Sequence, residues 1–147
     1  MDKFHSEPPH IMVIDQLHSR HITDLMRLYQ REFWCNARMQ QDVETILAST
    51  DIVIGLENRD GQLVGFCRLL TDFVYKATLY DLIVDPVYRG QGLGDHLMKL
   101  VIEHPDLSNI QHIDLHYLAA MTAFYQCWEF SQELNGLCHM RRFQRGC

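Results

Sequence analysis

The 147-residue chain predicts an α/β fold, and three observations carry that prediction. Helical periodicity alternates with short β-branched runs along most of the chain, and the Asn58-Arg59-Asp60-Gly61 turn joins two of those runs. An apolar run ending Leu82-Ile83-Val84 then leads through Asp85-Pro86-Val87-Tyr88 and the glycine-rich Arg89-Gly90-Gln91-Gly92-Leu93-Gly94 into an amphipathic helix. Length and composition agree with one globular domain, at 47% hydrophobic and 22% charged residues.

Each element follows from its own pattern. Ile11 to Ile14 is a short first strand. From Ser19 to Phe33, Ile22, Leu25, Met26, Leu28 and Tyr29 recur at three and four, which is helical, with Ser19 or Thr23 available as a cap. Val43, Ile46 and Leu47 mark a short second helix. Asp51–Glu57 and Gln62–Thr71 read as strands around a turn whose Asp-Gly favours left-handed conformations. Ala77–Val84 is a further strand, which Pro86 closes because proline lacks the ladder donor. Gly92–His104 is the helix after the loop, stopped by Pro105. Ile110–Leu115 is a strand, Ala119–Trp128 a small helix, and Leu137–Phe143 a closing strand after the Asn135-Gly136 turn. Residues 1–9 read as a flexible tail and residues 10–147 as the folded domain.

Composition narrows the function classes. A formal charge of −6 argues against nucleic acid or an anionic membrane as the main partner and suits a cationic ligand. No apolar run approaches the roughly 20 residues that span a bilayer, and the first residues have no signal-peptide core, so the expected location is cytoplasmic. Five cysteines with no C-x-x-C pair, Cys35, Cys67, Cys127, Cys138 and Cys147, suit free thiols in a reducing compartment. His112 and His116 are four apart in a strand pattern rather than on a helix, and His18 and His21 lack a third ligand nearby, so no metal site is expected.

The loop is the chemically informative segment. The first amides of a helix lack intrahelical acceptors and sit at the positive end of its dipole, so they suit a phosphate, and glycines let it approach. A dinucleotide fingerprint needs G-x-G-x-x-G, but the pattern from Gly90 is G-x-G-x-G followed by Asp95; a P-loop needs Gly-Lys-Ser/Thr, and Lys99 comes too late. Arg89-x-x-Gly92-x-Gly94 instead resembles the R/Q-x-x-G-x-G/A loop of the GNAT acyl-CoA-dependent N-acetyltransferases, and the β-α-α-β-β-β-α-β-α-β order resembles that family over most of the chain.

The resemblance implies a GNAT fold, a mixed and bent β-sheet flanked by helices, with acetyl-CoA as donor cosubstrate. It also implies roles for particular residues. Arg89, Gly90, Gln91, Gly92, Leu93, Gly94 and Asp95 would hold the pyrophosphate. The backbones of Leu82, Ile83 and Val84, on a strand that carries a bulge in the family, would bind the pantetheine and thioester. Tyr125, in Phe124-Tyr125-x-x-x-x-Phe130, falls at the place of the family's general acid, which protonates the leaving thiolate. Two places depart from the family: Leu118 stands where an Asn often contacts pantetheine, and Glu129 where a glycine precedes the final Phe.

The acceptor side is less specific. Asp81, two residues before Ile83 on the same strand face, is the best-placed carboxylate to act as base or amine binder. Tyr29, Phe33, Trp34, Arg38, Phe73 and Tyr75 fall where the family builds its acceptor pocket; Tyr29 and Phe33 equally continue a core stripe, whereas Trp34 and Arg38 do not. The expected activity is direct acetyl transfer to the primary amine of a small molecule. The alternatives are a non-catalytic acyl-CoA sensor and a protein N-acetyltransferase. A homodimer is expected from exposed edge strands near the C-terminus.

Overall fold

The structure is a computed structural model that describes residues 10–145. The tail expected at residues 1–9 and the thiol of Cys147 lie outside the described residues. The described residues group into two compact units, one ending at His116 and one beginning at Tyr117.

The first unit is a five-stranded mixed sheet with helices packed on it. Its elements are β1 (Met12–Ile14), α1 (Ser19–Gln30), α2 (Gln40–Ala48), β2 (Ile52–Glu57), β3 (Leu63–Thr71), β4 (Lys76–Val84), α3 (Leu93–Ile102) and β5 (His112–Leu115). The strands lie in chain order, antiparallel except for the β4–β5 pair. Parallel neighbours need a crossover, and α3 supplies it.

The core sits on β3. Leu63 through Leu69 are buried without alternation, the signature of a strand covered on both faces, and α1 and α3 both pack on it. One buried cluster joins Leu25, Leu28 and Tyr29 of α1, Cys35 and Val43 to Leu63, Phe66 and Ile83 of the sheet. Leu93, Leu97, Met98 and Val101 form the buried stripe of α3.

Helix ends differ from expectation for local reasons. The cap of α1 is His18, not Ser19 or Thr23: its backbone N–H donates to Nδ1 of His21 at 2.9 Å. That leaves the proton of His21 on Nε2, which donates to Oε2 of the buried Glu57 at 2.7 Å. The pair fixes the start of α1 against the end of β2. At its other end α1 stops at Gln30, three residues short of Phe33, and 31–37 are turns that leave Phe33 exposed. α3 stops at Ile102, because the residue preceding a proline is pushed out of the helical region and Pro105 starts a separate short turn.

The second unit contains a 3₁₀ turn (Ala119–Met121), α4 (Thr122–Gln126) and an irregular segment to residue 145. The expected strand Leu137–Phe143 does not form. Its turn does: Asn135 and Gly136 have φ of 53° and 86°, and the Leu137 N–H donates to the Leu134 carbonyl at 3.1 Å. The apolar residues after it, Leu137, Met140 and Phe143, recur at three rather than two and are exposed, so the segment presents no alternating face for a ladder.

Candidate active site

The centre of the first unit is an irregularity in β4. Phe66 pairs with Ile83 and Arg68 with Tyr80, so Asp81 and Leu82 together oppose the single residue Cys67. This is a β-bulge, and Asp81 carries its strain at φ 56°, a left-handed conformation that costs a residue with a Cβ about 1–2 kcal/mol. The bulge includes Leu82 and directly precedes Ile83 and Val84, the three residues whose backbones are expected to serve the site.

Asp81 is held from three elements. Oδ2 accepts from the Tyr29 hydroxyl of α1 at 2.9 Å, from Nη1 of Arg38 in the α1–α2 loop at 2.8 Å, and from Nε of Arg68 in β3 at 2.7 Å. Burial pushes the carboxyl up, but the hydrogen bonds and charges of Arg38 and Arg68 outweigh it and hold the group below the usual carboxylate range. The same environment raises its neighbours. Burial first, then the Asp81 charge and hydrogen bond, push the Tyr29 phenol up; burial pushes the Cys35 thiol up to about 12. Both stay protonated at neutral pH. The Arg38 guanidinium carbon lies 4.7 Å from the Tyr29 ring centre and 5.8 Å from that of Trp34, and the Arg68 carbon lies 4.8 Å from Tyr80.

After β4 the chain turns into the loop. Asp85 accepts from the Val87 N–H at 3.0 Å and starts the short 3₁₀ turn Pro86–Tyr88, while Arg31 reaches the same oxygen at 3.5 Å. Gly90 and Gly92 take φ of 76° and 81°, and a Cβ at either would meet nothing within 4 Å. Conformation, not crowding, therefore demands glycine here, and the space beside the loop stays open. Gly92 is the left-handed N-cap of α3, and the first intrahelical bond runs from His96 N–H to the Gly92 carbonyl at 3.0 Å. The amides of Leu93 and Gly94 precede that bond, in the first turn where N–H groups lie before the helical ladder begins. Arg89, at the edge of the loop, donates from Nη2 to Oε1 of Glu32 at 3.0 Å.

In the second unit Tyr125 is buried within an aromatic group, with ring centres 6.0 Å from Tyr117, 5.0 Å from Phe124 and 5.9 Å from Phe130, all edge-on. Glu129 adopts φ 66° immediately before Phe130. The residue standing at the family's glycine place thus keeps the backbone a glycine would take. Leu118 precedes the 3₁₀ turn without any side-chain cap and is exposed.

The acceptor-side residues fall in three places. Tyr29, Trp34, Arg38 and Asp81 come together at the bulge. Phe33 is exposed, away from the α1 core stripe. Phe73 and Tyr75 form the β3–β4 tip, tied by Asp72, whose Oδ1 accepts from the Val74, Tyr75 and Lys76 amides. Six residues of strand rise separate Tyr75 from Asp81, about 20 Å, so the tip is not brought to the bulge. Sequence reasoning missed Arg68. Its signal was available: an arginine inside the apolar run Leu63-Val64-Gly65-Phe66-Cys67-Arg68-Leu69-Leu70 must find a buried partner. Among the described residues no group of three or more His, Cys, Asp or Glu could hold a metal ion.

The model of the Acetyltransferase (GNAT) family matches residues 19–130. An uncharacterized N-acetyltransferase, ycf52-like, of Prochlorococcus marinus is 28% identical over 89% of this chain and 74% of its own length. The histone acetyltransferase TAP1 of Glycine max is 32% identical over 54% of this chain and 35% of its own. A crystal structure from Xanthomonas campestris pv. campestris described as belonging to the GNAT family superposes with a TM-score of 0.80 at 26% identity, covering 92% of this chain and 94% of that one. A family match spanning the helices, the bulged strand, the loop and the Tyr125 segment shows that the chain belongs to the GNAT family of acetyltransferases.

Proposed function

We propose that this acetyltransferase moves an acetyl group from acetyl-CoA to the primary amine of a small molecule, by direct attack while both substrates are bound. The observation that carries the reading is the continuous run from the Asp81–Leu82 bulge through Val84 and the Gly90–Gly92 turn into α3. Bound acetyl-CoA supplies the activated thioester. The amides at the start of α3 take the diphosphate by dipole and hydrogen bond, with Arg89 at the edge of this cradle while it keeps its pair with Glu32. A bulge frees main-chain groups from the ladder, and the amides of Leu82 to Val84 serve as donors to the carbonyl oxygen as it gains charge. Tyr125 gives its phenolic proton to the departing thiolate.

Asp81 enters this reading as a positioning residue and not as the base. A carboxylate held by two guanidiniums and a phenol, with its pKa depressed, accepts a proton poorly near neutral pH. What it does is hold the left-handed bulge residue and the acceptor-side loop together.

A protein lysine is the second reading, and the similarity to the TAP1 histone acetyltransferase supports it. We also infer a homodimer, supported by the exposed Leu137, Met140 and Phe143, and a reducing, cytoplasmic compartment, supported by the free buried thiols of Cys35 and Cys67. The deciding experiment is acyl-CoA-dependent thiol release over a panel of small amines and lysine peptides, run beside thermal shift with acetyl-CoA. Stabilisation by acetyl-CoA with release on small amines is expected; release on peptides alone sinks the small-molecule reading.

A further inference from the structure

The bulge cluster holds more positive charge than Asp81 can answer. Two guanidiniums converge on one carboxylate oxygen, with side chains 26% exposed at Arg38, 10% at Arg68 and 3% at Asp81. The other polar groups there bring no negative charge: the Tyr29 phenol and the Cys35 thiol both stay protonated. Glu32, the next acid, is matched by Arg89. Among the described residues the ion pairs of Arg38 and Arg68 run to Asp81 alone. A net charge of about +1 therefore remains at a largely buried position, in a chain whose formal charge is −6.

Burying a guanidinium without its own anion is costly, and the ring faces of Tyr29, Trp34 and Tyr80 offset only part of that cost. A second arginine is also more than the bulge requires, since Arg68 and Tyr29 alone would pin Asp81. Arg38 is the more open of the two, comes from the connection between α1 and α2, and stands beside the partly exposed indole of Trp34.

We propose that the acceptor carries a carboxylate next to its amine, as amino acids do, and that Arg38, backed by Arg68, receives that carboxylate beside Trp34. The inference rests on the small-amine reading above and narrows its substrate class. A carboxylate is the group this cluster already holds in Asp81, and the planar fork of an arginine matches it in two hydrogen bonds. An acceptor anchored on Arg38 sits one side chain from the Asp81 backbone, so its amine is delivered to the strand segment that receives the thioester. An acid requirement built on a charge in a low-dielectric position gives steep discrimination, because an amine lacking the acid leaves the surplus guanidinium unanswered.

The test is acetyl-CoA-dependent thiol release with L-amino acids, the matching amines without the carboxylate, and amino-sugar phosphates. The expected result is a kcat/KM at least about tenfold higher for an amino acid than for its matching amine. Arg38→Lys and Arg38→Met should reduce that ratio toward unity, chiefly through a higher KM for the amino acid, while the thermal shift given by acetyl-CoA persists. Matching amines that react as well as the amino acids overturn the proposal and leave the small-amine reading standing. A preference for amino-sugar phosphates overturns the carboxylate in favour of a phosphate. Absence of turnover with every small amine overturns both. The wild-type panel decides even where an Arg38 variant fails to fold.

Discussion

Arg38 donates to Asp81 across 2.8 Å and so ties the α1–α2 loop to the one bulged residue of β4. On the function proposed above, the bond couples the acceptor-side segment to the strand that receives the thioester. If Asp81 acts through this bond and its own backbone, its variants should rank by two separable properties. Asp81→Asn keeps an oxygen acceptor and tolerates the left-handed conformation; Asp81→Gly keeps only the conformation; Asp81→Ala keeps neither. The expected order of stability and of kcat is Asn above Gly above Ala. Unpairing the guanidiniums should cost about 3–5 kcal/mol in the lower two variants, and the Ala form about 1 kcal/mol more than Gly. Denaturant midpoints and turnover numbers on the three proteins check this. Equal loss of kcat in all three, with folding intact, would instead point to proton transfer by the carboxylate.

The same pairing fixes an acid limit. The Asp81 carboxyl is depressed in the folded protein, against burial, by Arg38 and Arg68. A group whose folded pKa lies below its unfolded value contributes fully above the unfolded value, about 3.9, and loses that contribution as pH falls through the folded one. Stability should therefore be level near neutrality in this respect and fall below about pH 4. Urea midpoints taken from pH 7 to pH 3 should show a steeper acid limb for the wild type than for Asp81→Asn; identical limbs would mean that Asp81 contributes nothing to it.

The order of elements through β5 was legible because it rests on local patterns: the stripe of α1, the Asp-Gly turn, Pro86 after β4 and the glycines before α3. The bulge was legible only by resemblance. Its position depends on which β3 residue each β4 residue faces, and register is a non-local property that no window of sequence contains. The Arg68–Asp81–Arg38 cluster is non-local for the same reason, although an arginine amid the apolar residues of β3 signals that some acid must meet it. The strand expected at Leu137–Phe143 rested on its turn and on apolar content, and the spacing of three in Leu137, Met140 and Phe143 was the contrary signal. Phe73 and Tyr75 were assigned by position between elements, and the length of β4 is what takes them away from the bulge.

Glu129 offers a stability test that leaves the bulge untouched. The residue holds φ 66°, its N–H donates to the Gln126 carbonyl at 3.0 Å, and the next N–H, from Phe130, donates to the Tyr125 carbonyl at 3.2 Å. This is a left-handed helix termination, where glycine is the favoured residue. Glu129→Gly removes the Cβ penalty of about 1–2 kcal/mol and returns part of it through the freer unfolded chain. The expected net gain is about 1 kcal/mol, or a rise in Tm of about 2–4 °C in a reversible melt. A lowered Tm would mean that the Glu129 side chain makes a stabilising contact worth more than the strain.

Tyr125 carries the sharpest prediction about chemistry, because two roles for it separate cleanly. Its ring is packed edge-on by Tyr117, Phe124 and Phe130, and phenylalanine would preserve all three contacts. If Tyr125 only fills that aromatic group, Tyr125→Phe should leave the melting temperature within about 2 °C and kcat within about twofold of the wild type. If the phenol protonates the departing thiolate, the variant should fold and bind equally well while kcat falls by about 10²–10⁴. The loss should shrink when the acyl donor carries a more acidic thiol, because a better leaving group needs less protonation. Turnover against leaving-thiol pKa therefore gives a steeper slope for Tyr125→Phe than for the wild type, whereas parallel lines would assign the proton to another group.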